Sequence, residues 1–135
     1  VLSEARSWLR TPYHHCADIK GAGVDCAMLL VRVYQAAGLV PEFDPRPYSP
    51  QWHLHRGEEK YLEALLAHAV EVEAPEPGDI VVYKVGRCFA HGAIVIEWPT
   101  IIHAHMAAGN VELADGTQAW LAERERKFFR VIEHA

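Results

Sequence analysis

No two cysteines in this 135-residue chain are spaced C-x-x-C, and the three present, Cys16, Cys26 and Cys88, are an odd number. A disulfide framework and a structural zinc site of the usual spacing are therefore both set aside. Lysine and arginine are scattered, 13 against 18 acidic residues, for a formal charge of −5. Phosphate binding needs a concentrated basic footprint, so nucleic acid is not expected as a partner. No apolar run is long enough for a membrane span. The start, Val1-Leu2-Ser3-Glu4-Ala5-Arg6, lacks the basic segment and apolar stretch of an export leader, which suits a mature or trimmed chain, or one that does not use that route. With no repeat, low-complexity tract or composition break, one domain over residues 1–135 is expected.

What is present is a helical half followed by a strand-rich half. Ser3 is expected to cap a short helix running to about Leu9, stopped by Thr11-Pro12, and residues 13–24 read as a loop. From Asp25 the apolar positions Cys26, Leu29, Leu30, Val33, Tyr34 and Ala37 recur at helical spacing, with Gly38 as the stop. Only Arg32 and Gln35 offer a wet stripe, so this helix is central and mostly buried. Four prolines between Pro41 and Pro50 make an irregular crossing, and Glu58–Ala69 has the pattern of a second helix. Pro75-Glu76-Pro77-Gly78-Asp79 is a turn before the β-branched run Ile80–Val85. Short strands are expected at His91–Glu97, Thr100–His103, Val111–Leu113 and Lys127–His134, with a helical turn near Thr117–Glu123. Helices first and an antiparallel meander afterwards is the pattern of an α+β domain.

Cys26 stands where a glycine turn, Gly23-Val24-Asp25, becomes the buried helix. A cysteine on an apolar helical face is commonly a small core residue. The first turn of a helix, however, offers partial positive charge and unpaired N–H groups that stabilise a thiolate. Asp25 fits an N-cap, and its negative charge opposes that effect, so a nucleophilic Cys26 calls for a cationic partner, most simply a histidine forming a thiolate–imidazolium pair. Of nine histidines, His91 opens one predicted strand and His103 ends the next. A hairpin turning at Trp98-Pro99 would set the two side by side, as a base and the polar group that orients it.

The ordered array Tyr13, Gly23-Val24-Asp25-Cys26, Pro77-Gly78-Asp79-Ile80-Val81-Val82-Tyr83, His91-Gly92-Ala93-Ile94-Val95 and Ile102-His103-Ala104 resembles the NlpC-type cell-wall cysteine peptidases over about residues 11–113. The resemblance implies a papain-like α+β fold with the nucleophile-bearing helix packed on a C-terminal sheet. It also implies cleavage of peptidoglycan stem peptides, commonly between D-glutamate and a diamino acid, through a thioester. By position, Cys26 is then the nucleophile, His91 the general base and His103 its orienting partner. Tyr13 and Asp25 fall at the oxyanion and substrate-binding end, with a backbone N–H of the helix start completing the oxyanion site. No cofactor or metal is implied. Ala27-Met28 departs from the Ser-Gly that usually follows the Asp-Cys pair in this family. The lack of a leader or wall-binding repeat, together with Ser49-Pro50-Gln51-Trp52-His53-Leu54-His55, looks like the phage-tail subgroup. That likeness implies a virion or tail-like particle as the location and tail proteins as partners, with a secreted or periplasmic site after processing as the alternative. A catalytically silent tail-assembly or wall-binding module on the same fold is the competing function, and an acyl transferase with the same residues is a further one.

His14-His15-Cys16 could join another Cys or His as metal ligands, but no recurring ligand spacing supports it. His53 and His55 read as solvated loop residues. Cys88 lies three residues before His91, which in a continuous strand puts the two on opposite faces and makes Cys88 a poor rival nucleophile. Asp79 reads as structural.

Overall fold

The computed structural model describes residues 1–15, 17–40 and 65–132 of the chain. Asp25 starts the helix that organises the rest. Its side chain accepts the Met28 N–H at 2.9 Å, satisfying one of the orphan donors of the first turn. Helix α2 then runs over Cys26–Ala36, after the short helix α1, Leu2–Ser7. Every α2 residue from Cys26 to Val31 is buried, as are Val33 and Tyr34. Arg32 on its polar stripe pairs with Asp18, Nε to Oδ2 at 2.8 Å, and so ties down a small ribbon of β1, Asp18–Ile19, and β2, Gly23–Val24. Gly38, at φ 74°, follows the helix end, a conformation that suits glycine.

Six strands form the main sheet: β3 (Ala69–Val72), β4 (Ile80–Val85), β5 (Cys88–Glu97), β6 (Thr100–His105), β7 (Asn110–Asp115) and β8 (Arg126–Val131). Their order is β3-β8-β4-β5-β6-β7, with every neighbouring pair antiparallel. Strands β4 to β7 are the expected meander; β8 returns on the far side of β4. Alternation along the strands divides the core in two. Ile80, Val82, Ile94, Ile96, Ile102, Ala104 and Val111 pack with α2. Val81, Tyr83, Ala93, Val95 and Ile101 form a second cluster on the other face, closed by Leu121 from a 3-10 turn at Ala119–Leu121 and by Trp98, Trp120 and Phe128.

The Pro-Gly-Asp turn locks α2 to this sheet. Tyr34 Oη donates to the Gly78 carbonyl at 2.7 Å. Asp79 accepts the Glu76 N–H at 2.7 Å and holds the Arg130 guanidinium through both oxygens, at 3.0 and 2.9 Å. Burial, with Asp79 nearby, pushes the Tyr34 phenol far above its ordinary range, so it acts purely as a donor. The structural reading of Asp79 is what the fold shows.

Several local expectations differ. Helix α1 begins at Leu2 with Val1 as its N-cap and no side-chain cap, so Ser3 lies within the first turn rather than capping it. Residues 13–24 are not all loop but include the β1–β2 ribbon. Ala69 opens β3 instead of ending a helix; most of Glu58–Ala69 and all of the proline-rich 41–55 lie outside the described residues. Among the described residues no helix is long and apolar enough to cross a membrane.

Candidate active site

Cys26 is the first residue of α2, and its Sγ lies 4.0 Å from the carbonyl oxygen of Ala90. Ala90 immediately precedes His91, and the β4–β5 pairing explains how it comes to face the thiol. Tyr83 pairs with His91, yet Lys84 pairs with Phe89, so Ala90 is the extra residue of a β-bulge. A bulge re-aims the side chains beside it.

His91 and His103 are brought together as expected. Ile94 pairs with Ile102 across β5 and β6, so the two histidines are diagonal neighbours, and His91 Nε2 meets His103 Nδ1 at 2.8 Å. The contact continues to a residue the sequence reading did not single out. Glu112 pairs directly with His103 in the β6–β7 register, and its Oε1 lies 3.1 Å from His103 Nε2. A carboxylate only accepts, so His103 donates from Nε2, which leaves Nδ1 as an acceptor. His91 then donates from Nε2, and its Nδ1 carries the lone pair of a base. Glu112 sets both tautomers.

Trp120 is the other residue not foreseen. Its indole stands edge-on to the His91 ring at 4.9 Å and stacks on His105 at 4.9 Å. Arg124 lies over its outer face, 5.1 Å from the ring, and donates from Nε to the Trp120 carbonyl at 2.9 Å.

Burial, reinforced by the neighbouring His103, His105 and Arg124, holds the His91 imidazole well below its usual range. His103 is lowered too, chiefly by burial, with the Glu112 hydrogen bond working against it. Such burial favours the neutral form of the His91 ring.

Asp25 is fully buried, with Oδ1 on the Met28 amide and Oδ2 at 3.9 Å from His15 Nδ1. The structure gives it the cap. Ala27 and Met28 are buried in the α2 core, and the cap uses the amide of Met28, so the unusual pair leaves the helix start intact. Tyr13 forms a bridge with Val24, two residues before Cys26, donates its N–H to the Gly109 carbonyl at 2.7 Å, and packs its ring against the α2 core. His53 and His55 lie outside the described residues, as does Cys16.

Gly23 serves close approach rather than a special backbone angle. A Cβ built there would sit 2.9 Å from His14 Cβ and 3.3 Å from Ala17 Cβ. Gly23→Ala is expected to lower stability by about 1–3 kcal/mol, an overpacking cost, read as a lower urea midpoint at unchanged slope. An unchanged midpoint would show that the 14–17 segment yields freely.

The NlpC/P60 family model matches residues 10–130. Among curated proteins no sequence matches significantly. Solved structures do. A lipoprotein-like NLP/P60 family protein of Staphylococcus aureus aligns with TM-score 0.69 and 17% identity, over 98% of this chain and 40% of that one. The NlpC/p60 domain of the peptidoglycan hydrolase SagA aligns with TM-score 0.62 and 20% identity, over 93% and 92%. The peptidoglycan hydrolase RipB of Mycobacterium tuberculosis aligns with TM-score 0.62 and 18% identity, over 98% and 63%. The chain thus spans less than half the length of the staphylococcal protein and nearly all of the SagA domain. With the family model covering most of its length and the papain-like α+β fold shared with these structures, the chain belongs to the NlpC/P60 family.

Proposed function

We propose that the chain is a cysteine peptidase that hydrolyses amide bonds of peptidoglycan stem peptides, with the bond between D-glutamate and a diamino acid as its target. The observation that carries this reading is the His91–His103–Glu112 relay, which leaves a basic Nδ1 on the residue next to the Ala90 carbonyl that Cys26 Sγ touches. Two of the structures that share the fold, SagA and RipB, are described as peptidoglycan hydrolases.

In the proposed reaction His91 takes the Cys26 proton as sulfur attacks the amide carbon. The backbone N–H at the start of α2, with Tyr13, stabilises the resulting oxyanion. Collapse breaks the C–N bond, His91 returns its proton to the leaving amine, and a thioester remains. Water, deprotonated by His91, then releases the acid and restores the thiol. His103 and Glu112 hold the imidazole in the required tautomer throughout. A phage tail or tail-like particle is proposed as the carrier on the likeness of residues 49–55 to that subgroup.

Digestion of purified sacculi tests the reading, with released fragments identified by mass spectrometry and Cys26→Ala as control. Fragments released by the native chain alone are expected, and their masses name the bond. Equal release by both, or none from either across several wall types, overturns the peptidase and returns the weight to a silent wall-binding module.

A further inference from the structure

Behind the catalytic pair, on the side of His103 that faces away from His91, three metal-ligating groups converge. His103 and His105 are two apart on β6 and so share a face, and β7 sets Glu112 directly opposite His103. Glu112 Oε1 lies 3.1 Å from His103 Nε2 and 3.4 Å from His105 Nδ1, and ligand atoms of all three groups lie within 4.8 Å of one another. Zinc bonds of about 2.0–2.1 Å in a tetrahedron put neighbouring ligand atoms roughly 3.3 Å apart. Two edges of such a site are therefore near that length, and the third, within 4.8 Å, shortens on binding by rotation of the His105 ring. Two imidazoles and one carboxylate are the donors of a transition-metal ion, not of calcium or magnesium, which prefer oxygen. His103 is held by its Nδ1 contact with His91, while His105, stacked between His103 at 5.2 Å and Trp120 at 4.9 Å, is the ring that turns to aim its in-plane Nδ1 lone pair at the ion. His103 is buried while His105 and Glu112 reach the surface, which leaves solvent access for an ion and its water.

We propose that His103, His105 and Glu112 form a binding site for a divalent transition-metal ion, Zn²⁺ above all, and that its occupancy switches the peptidase off. The switching, though not the binding, rests on the cysteine-peptidase reading. A metal on His103 Nε2 takes the lone pair of that nitrogen, so the proton of a neutral ring must sit on Nδ1. His103 then donates to His91 instead of accepting from it, and the 2.8 Å contact survives only if His91 carries its own proton on Nδ1. No proton is lost overall; each moves to the other nitrogen of its ring. The base is thereby capped.

The test uses the full chain, stripped with a chelator, and titrated with Zn²⁺ by calorimetry and with Co²⁺ by visible absorption. One ion per chain in a tetrahedral nitrogen–oxygen environment is expected. Affinity should fall by at least about tenfold in His105→Phe, which keeps a stacked ring, and in Glu112→Gln, and stay unchanged in Cys26→Ala. Nitrogen-detected NMR should show the His91 and His103 rings exchanging tautomers on saturation. Zn²⁺ should inhibit sacculus digestion by the native chain, with the inhibited-to-free ratio returning towards one in His105→Phe. Absence of binding, binding undiminished in both site variants, or a cobalt–thiolate band that vanishes in Cys26→Ala overturns the site. Binding at the site without inhibition of an active chain overturns the switch. Binding and tautomer exchange in a chain that never digests sacculi uphold the site and count against the peptidase reading instead.

Discussion

On the cysteine-peptidase reading, His91→Ala is expected to lower turnover of peptidoglycan by roughly 10²–10⁴-fold, the range that a positioned general base contributes. A cysteine thiol has an ordinary pKa of about 8.5, so at neutral pH the proton has to be removed as sulfur attacks. On the proposed reading His91 is the acceptor: it follows the bulged Ala90 whose carbonyl meets Cys26 Sγ, burial disfavours its charged form, and its Nδ1 lone pair is fixed through His103 and Glu112. Removing the ring removes the acceptor, and later the acid that protonates the leaving amine. The loss should fall on kcat, since the ring is asked to act in the transition state rather than to hold substrate. Groups that act as one unit are strongly non-additive, so Cys26→Ala combined with His91→Ala should be no slower than Cys26→Ala alone. Steady-state release of fragments, with circular dichroism to confirm folding, checks both statements. A folded His91→Ala protein within about threefold of the native rate would remove His91 from the mechanism.

The parts of this site legible in the sequence are those set by local periodicity. Nine closely spaced apolar positions behind Asp25 define α2 and put Cys26 at its start, and the β-branched run over 80–85 becomes β4 as it stands. The twelve-residue spacing of His91 and His103 around Trp98-Pro99 also foretells their contact, because a hairpin converts spacing into register. What eluded the sequence depends on pairings between strands. The bulge at Ala90 exists only relative to β4. Glu112 becomes the partner of His103 only once a loop at residues 106–109, with Gly109 at φ 80°, sets His105 against Asn110. Trp120 lies in the helical turn expected near 117–123, but so short a segment carries no pattern that aims its indole at His91 and His105, and β3 is a short edge strand whose alternation is too brief to separate from a helix end. Polar contacts between elements are thus the layer that the local pattern does not encode, and this site is built from them.

Leu30→Ala is expected to destabilise the fold by about 2–5 kcal/mol, more than any other single change considered for the scaffold. Leu30 lies in the middle of α2 with none of its surface exposed, among residues that join the helix to the α2-facing side of the sheet. Its truncation loses the transfer free energy of the side chain and leaves a cavity, because neighbours on a helix clamped at both ends have little freedom to collapse. Asp25 fixes one end through the Met28 amide, and Tyr34 fixes the other through the Gly78 carbonyl. Against a total stability of about 5–15 kcal/mol for a domain, such a loss is a large fraction. Urea unfolding should show a lower midpoint at unchanged slope, while Leu30→Met, close in volume, should cost less than about 1.5 kcal/mol. Under conditions where Leu30→Ala remains folded, its activity per folded molecule should match the native chain, since the caps and the bulge that place Cys26 beside Ala90 are untouched. A loss below about 1 kcal/mol would mean that α2 is not packed on the sheet as described, and the placement of Cys26 would fall with it.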